Sequence, residues 1–125
     1  MSGRRSRRKG ATGDLEVRDM LRVALAGLVP EEQIRRGLQP QGGHVVPDVV
    51  VPFGWCESKR RKVINVFRTV EQVQQDAAPG ALPFAICRRD REKPIAALPA
   101  DVFCEIWRVY TAWRLGRLDE LEASE

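Results

Sequence analysis

His44-Val-Val-Pro-Asp48-Val-Val-Val51-Pro-Phe-Gly-Trp-Cys-Glu57-Ser-Lys59-Arg-Arg-Lys-Val63 is the stretch from which the rest of the chain is read. Its first half is β-branched and extended, Pro52-Phe53-Gly54 is a turn signal, and Trp55 to Val63 reads as a second strand. A turn centred between Pro52 and Phe53 sets Asp48 opposite Glu57. Directly opposed residues of an antiparallel pair project to one face, with Cβ atoms about 5 Å apart. Lys59 joins that face because strand side chains alternate with period two. A three-residue loop would instead shift the parity and put the two acids on opposite faces.

Two carboxylates held this close repel each other unless a cation lies between them. Mg²⁺ suits them, taking oxygen ligands in octahedral geometry and keeping several waters, with Mn²⁺ as its substitute. A water lowered in pKa there can attack phosphorus, with Lys59 orienting it or stabilising the developing charge. The plainer reading makes Asp48 a turn or edge-strand acid and Glu57 with Lys59 an exposed cross-strand pair. Against it, Asp48 sits between Val45-Val46-Pro47 and Val49-Val50-Val51, where an unpaired acid needs a reason. Glu57 likewise follows the apolar Trp55-Cys56.

Upstream, apolar residues recur at helical spacing from about Thr12 to Val29, and Val17, Leu21, Ala24, Leu25 and Leu28 share one face. Asp14 falls in the middle of that face, whereas Glu16 points roughly 120° or more away, toward solvent. A helix N-terminal acid favoured by the dipole is the alternative for Asp14. Pro30 ends the helix, and Glu31 to Gly37 forms another turn at most. Downstream, Val66 to Ala77 is helical, Leu82 to Arg88 is a short buried strand, and Pro94 to Leu98 is a last strand. Asp101 caps a final helix reaching about Leu121, with Phe103, Ile106, Trp107, Tyr110 and Trp113 on a broad aromatic face. The expected fold is α/β, a small mixed β-sheet flanked by helices.

A chain of 125 residues makes one ordinary domain. Residues 1–9 read as a flexible basic arm, residues 10–116 as the domain, and residues 117–125 as an acidic tail. The net charge of +4 is unevenly spread. Arg4, Arg5, Arg7, Arg8 and Lys9 crowd the start, and Arg60, Arg61 and Lys62 follow Lys59, a distribution suited to a polyanion such as DNA. Arg88, Arg89 and Arg91 extend the basic surface or simply make a charged turn. Cys56, Cys87 and Cys104 lack metal-binding spacing and read as reduced, buried thiols of a cytoplasmic protein. His44 is the single histidine, which argues against zinc. Neither a secretory leader nor a membrane span is visible.

Lys9-Gly-Ala-Thr-Gly-Asp14-Leu-Glu16-Val17, Pro47-Asp48-Val49, Cys56-Glu57-Ser58-Lys59, Gln72-Val-Gln-Gln-Asp76-Ala77 and Pro83-Phe-Ala-Ile-Cys-Arg88-Arg89 occur in the order of motifs found in one nuclease family. The chain resembles the archaeal-type Holliday junction resolvases and their phage-encoded relatives, within the PD-(D/E)xK nuclease superfamily. The resemblance covers about residues 9 to 107. It implies a restriction-endonuclease-like core, and a homodimer that cuts four-way DNA junctions with Mg²⁺, in the cytoplasm of a cell or of a phage host. Asp14, Asp48, Glu57 and Lys59 take the catalytic positions, Asp48, Glu57 and Asp14 the metal-binding ones, with Glu16 as the alternative to Asp14 and Gln72 touching the site from its helix. The chain departs from the family in an Asp at the first acidic position, and in a loop, Gln41-Gly-Gly-His44, without serine. Flaps or replication intermediates are the alternative substrates, and a binder without cleavage is the alternative class.

Overall fold

The helical spacing after Thr12 does produce a helix, but a longer one: α1 runs from Gly3 to Ala24. A computed structural model describes residues 3–38 and 45–123, with side chains described from residue 11 to residue 122. The backbone of residues 3–9, most of the expected flexible basic arm, is the start of α1. Arg and Lys are good helix formers, and no proline interrupts the chain before Pro30. The side chains of Arg4, Arg5, Arg7, Arg8 and Lys9 lie outside the described residues. At its other end α1 stops at Ala24, six residues before Pro30, and the chain turns through Gly27 at φ +84°. Val17, Leu21, Leu25 and Val29 reach the core as a result, while Ala24 and Leu28 stay exposed.

After a 3₁₀ turn at Glu31–Gln33 comes β1 (Arg35–Arg36), a strand with no signal in the sequence. Then follow β2 (Val49–Val51), β3 (Gly54–Arg60), α2 (Val66–Asp76), β4 (Leu82–Arg88) and β5 (Ile95–Ala97). The sheet order is β1-β2-β3-β4-β5, antiparallel throughout except for the parallel pair β3/β4. A parallel pair needs a crossover, and α2 supplies it. The fold is a mixed α/β domain with a five-stranded open sheet, in line with the class expected from the sequence.

Val17, Ile34, Val49, Cys56 and Ile86 form the core under α1. On the other face, α2 packs on β4 and buries Thr69 and Val73. Residues of β3 alternate between the faces: Cys56 belongs to the α1 core, and Ser58 and Arg60 contact Gly13 of α1. Lys59 lines a cleft with Thr69 and Gln72 of α2. The hairpin adopts the two-residue turn, with Val49 opposite Cys56, Val50 opposite Trp55 and Val51 opposite Gly54. Phe53 accepts a left-handed φ of +67° to make it.

The final helix is broken. Gly116, at φ +70°, separates α3 (Ala100–Arg114) from α4 (Leu118–Ala123), which packs back on α3. Pro99 holds the N-cap position, and Asp101 lies in the first turn instead. Much of the expected acidic tail is thus helical. The aromatic face of α3 does not cover the sheet: Trp107 is 55% and Trp113 59% exposed. Among the described residues, no helix is long and apolar enough to cross a membrane.

Candidate active site

Asp48 stands one residue before β2, and its position is fixed from both sides. Its carboxylate Oδ2 accepts a hydrogen bond from the Ser58 amide at 2.9 Å. Its carbonyl accepts one from the Gly37 amide, also at 2.9 Å. Gly37 passes so close that a Cβ there would lie 1.8 Å from the Pro47 carbonyl oxygen. Only glycine permits that approach.

The hairpin register, carried one residue past Val49–Cys56, sets Asp48 opposite Glu57. Their carboxyl groups share a hydrogen bond, one proton serving the pair. The Trp55 indole N–H donates to Glu57 Oε1 at 3.2 Å, and the near-complete burial of Trp55 holds that contact in place. Burial, the bond to Asp48 and the Asp48 charge push the Glu57 carboxyl up to about 8, with a smaller push from Asp76 and only the indole N–H opposing.

Asp14 approaches from α1. Burial and the charge of Asp48 raise its pKa, while Arg36 and the Ser58 side chain hydrogen-bond to it and lower it. The Arg36 Nε donates to Asp14 Oδ2 at 3.2 Å. Ser58 therefore links two acids, its amide holding Asp48 and its side chain holding Asp14. Lys59 follows two residues after Glu57, half-buried and on the same side of the strand.

Glu16 is differently occupied. Expected to face solvent, it accepts from Arg60 at 2.6 Å and from Arg88 at 2.7 Å, tying α1 to β3 and β4. Of the two helix acids, Asp14 is the one that feels Asp48. Arg60 was expected to hold phosphate with Arg61 and Lys62. Its guanidinium is instead committed to Glu16 on the α1 face, because strand alternation points it away from Lys59. Arg61 and Lys62 are exposed. Arg88 is taken by Glu16 and Arg89 by Glu92. Gln72 donates to both carboxylate oxygens of Asp76 at 3.1 Å, so its contact is with a neighbour on its own helix. His44 lies outside the described residues. Cys56 and Cys87 are free and buried, whereas Cys104, expected to be buried, is exposed. Burial and the nearby acids push the Cys56 thiol up, which keeps it inert.

Among the described residues, no three His, Cys, Asp or Glu side chains are gathered closely enough to hold a metal ion ready-made. Two carboxyls in contact and a third within electrostatic reach are nonetheless a hard-oxygen donor set, of the kind Mg²⁺ or Mn²⁺ takes. Burial first and Asp48 second raise the Glu57 and Asp14 carboxyls, and a divalent cation would oppose both effects by favouring the ionised forms. Arg36 and Ser58, which hold two of these acids, were not identifiable from sequence. Arg36 lies on the unanticipated β1, and Ser58 acts partly through its backbone amide.

No protein-family model, no curated protein and no solved structure matches this chain.

Proposed function

We propose that the chain is a metal-dependent, structure-selective DNA endonuclease of the PD-(D/E)xK type, acting on four-way junctions. The observation that carries this reading is the contact between Asp48 and Glu57 across the hairpin, half-buried, with Lys59 two residues on. Two carboxyls in contact cost stability unless a proton or a cation lies between them, and a protein that only bound polyanions would gain nothing by turning them toward phosphate.

When bound, Mg²⁺ supplies Lewis acidity toward a phosphoryl oxygen and a water of lowered pKa. Asp48 and Glu57 would hold the ion, with Asp14, which pairs with Arg36, as the third carboxylate nearby. Ser58 and Trp55 keep the first two carboxylates oriented, which limits reorganisation during the reaction. The Lys59 ammonium stabilises the charge that develops on the phosphoryl group. Arg61 and Lys62 bind backbone phosphate. Such contacts position a nucleic acid without reading its sequence.

The test is a panel of labelled four-way, flap and linear duplex DNAs, each with and without Mg²⁺. Paired, symmetrical nicks on the junction, absent without metal, are expected. Cutting confined to flaps would reassign the substrate, and no cutting of any DNA would overturn the nuclease reading.

Two symmetrical nicks require two sites, and α3 carries a surface for a second copy. Its rings form a ladder, Phe103 to Trp107 to Tyr110 to Trp113, with centroids 5.9, 5.2 and 5.8 Å apart. Ile106, Val109 and Leu115, each roughly half exposed or more, flank it. Taken at about half of their full side-chain areas, these residues present on the order of 700 Å² of apolar surface. That exceeds the usual patch on a monomer and approaches the roughly 800 Å² per partner of a specific interface. Sedimentation equilibrium should find a dimer that Trp107→Glu with Trp113→Glu converts to a monomer. A wild-type monomer at tens of micromolar would remove the dimer without touching the site.

A further inference from the structure

Next to Lys59, a cleft of about 260 Å³ opens between the end of β3 and the start of α2. Lys59, Arg61, Asn65, Arg68, Thr69 and Gln72 line it, three cations among them and no acid anywhere on the wall. The adjoining arginines of β3 and β4 are differently placed, Arg60 and Arg88 both resting on Glu16. Among the described residues, neither Lys59, Arg61 nor Arg68 has a carboxylate partner. Three like charges converging on one concave wall repel each other, and an anion drawn in from solvent relieves that repulsion.

The backbone adds to this field. Asn65 caps α2, its side chain accepting from the Arg68 amide at 3.0 Å, and it also lines the cleft. The positive end of α2 therefore borders the cavity. Lys59 lies roughly 7 Å along the strand from Glu57, two residues at about 3.3 Å each. One lysine thus borders both the acids and the basic cleft.

We propose that this cleft seats a backbone phosphate of the cut DNA strand, adjacent to the phosphate that is hydrolysed. Arg61 and Arg68 hold it, and Lys59 lies between it and the reacting centre. The proposal rests on the nuclease reading for which phosphate is bound, but not for whether a phosphodiester is bound. Arg68, on a different element from the basic run after Glu57, becomes a DNA contact that the run alone did not include.

The test measures DNA affinity by fluorescence anisotropy in EDTA, so that it does not depend on cleavage. Wild type, Arg61→Ala/Arg68→Ala and Arg108→Ala are compared from 50 to 200 mM salt on the same labelled junction and on a short single strand. Arg61 and Arg68 are exposed, and the α2 cap uses the Arg68 backbone amide, so the double variant keeps its fold. Loss of one phosphate contact should lower the slope of log K against log salt by about 0.7–0.9 and weaken binding about tenfold. Arg108→Ala, which removes an exposed charge on α3, should change neither. Replacing single phosphates by uncharged methylphosphonates should identify one position that weakens wild type and leaves the double variant indifferent. Equal affinity and slope in wild type and double variant would overturn the proposal, as would an equal loss in Arg108→Ala. If wild type binds DNA through Arg61 and Arg68 yet cuts nothing, the cleft stands and the nuclease reading falls.

Discussion

Glu57→Gln should make the metal-free protein more stable while abolishing cleavage. In the folded chain the Glu57 carboxyl is pushed up to about 8 from an ordinary 4.5. For an acid raised on folding, the unfolded chain releases its proton first as pH climbs, so the native state loses stability from about pH 4.5 through about 8 and remains at its lowest above that. Glutamine has the shape of the protonated acid, accepts from Trp55, donates to Asp48 and has no proton to lose. Wild type and variant should therefore be nearly equal at pH 4 and separate progressively toward pH 8. Glu57 is only partly buried, so the full linkage value overstates the gap. A gain on the order of 2 kcal/mol, or roughly 5–10 °C in melting midpoint, is expected after discounting for solvent screening. Activity should meanwhile fall by at least about 1000-fold, since an amide is a poor ligand for a hard cation. Thermal melts from pH 4 to 9 in EDTA, beside nicking assays in Mg²⁺, measure both. A variant no more stable at pH 8 than at pH 4, relative to wild type, would mean that Asp48 and Glu57 do not oppose each other.

The second large effect belongs to a residue with no side chain. A Cβ at Gly37 would enter the Pro47 carbonyl oxygen at 1.8 Å. The backbone must then move, and the hydrogen bond from the Gly37 amide to the Asp48 carbonyl goes with it. Gly37→Ala should cost about 2–4 kcal/mol by denaturant unfolding and displace Asp48 enough to remove most activity. Gly27→Ala is the control. Its φ of +84° makes alanine strained there too, but nothing lies within 4 Å of the added carbon. It should cost only about 1 kcal/mol and leave activity intact. Equal costs at the two glycines would show that the close approach at Gly37 is not what positions Asp48.

The contact between the two acids was legible because a two-residue turn leaves one choice of partner. Once Pro52 and Phe53 occupy the turn, Asp48 and Glu57 face each other whatever the rest of the sheet does. Helix phase also set Asp14 apart from Glu16, but the solvent-facing position expected for Glu16 is not the one it takes. Glu16 turns from the site to meet Arg60 and Arg88, two residues far away in sequence that only the sheet brings together. What could not be read depends on such long-range placement. β1 is two exposed arginines paired with Val49 and Val50, a strand made by its neighbour and not by its own composition. Arg36, which pairs with Asp14, and Gly37, whose amide donates to the Asp48 carbonyl, belong to that unsignalled segment. Gly116 divides the last helix because it accepts φ +70°, but a lone glycine in an apolar periodic run does not by itself announce a break. The aromatic stripe of α3 was visible, yet whether it covers the sheet or remains open depends on the chain's path after β5.

On the proposed function, Asp48 and Glu57 together hold a divalent cation used to hydrolyse DNA. Titration with Mn²⁺ followed by electron paramagnetic resonance tests it most directly, because free and bound ions are counted separately. One ion per wild-type chain is expected, bound at least about tenfold more weakly by Asp48→Asn, which should also fail to nick DNA in Mg²⁺. An Asp48→Asn protein that binds Mn²⁺ like wild type and still cuts would contradict the claim.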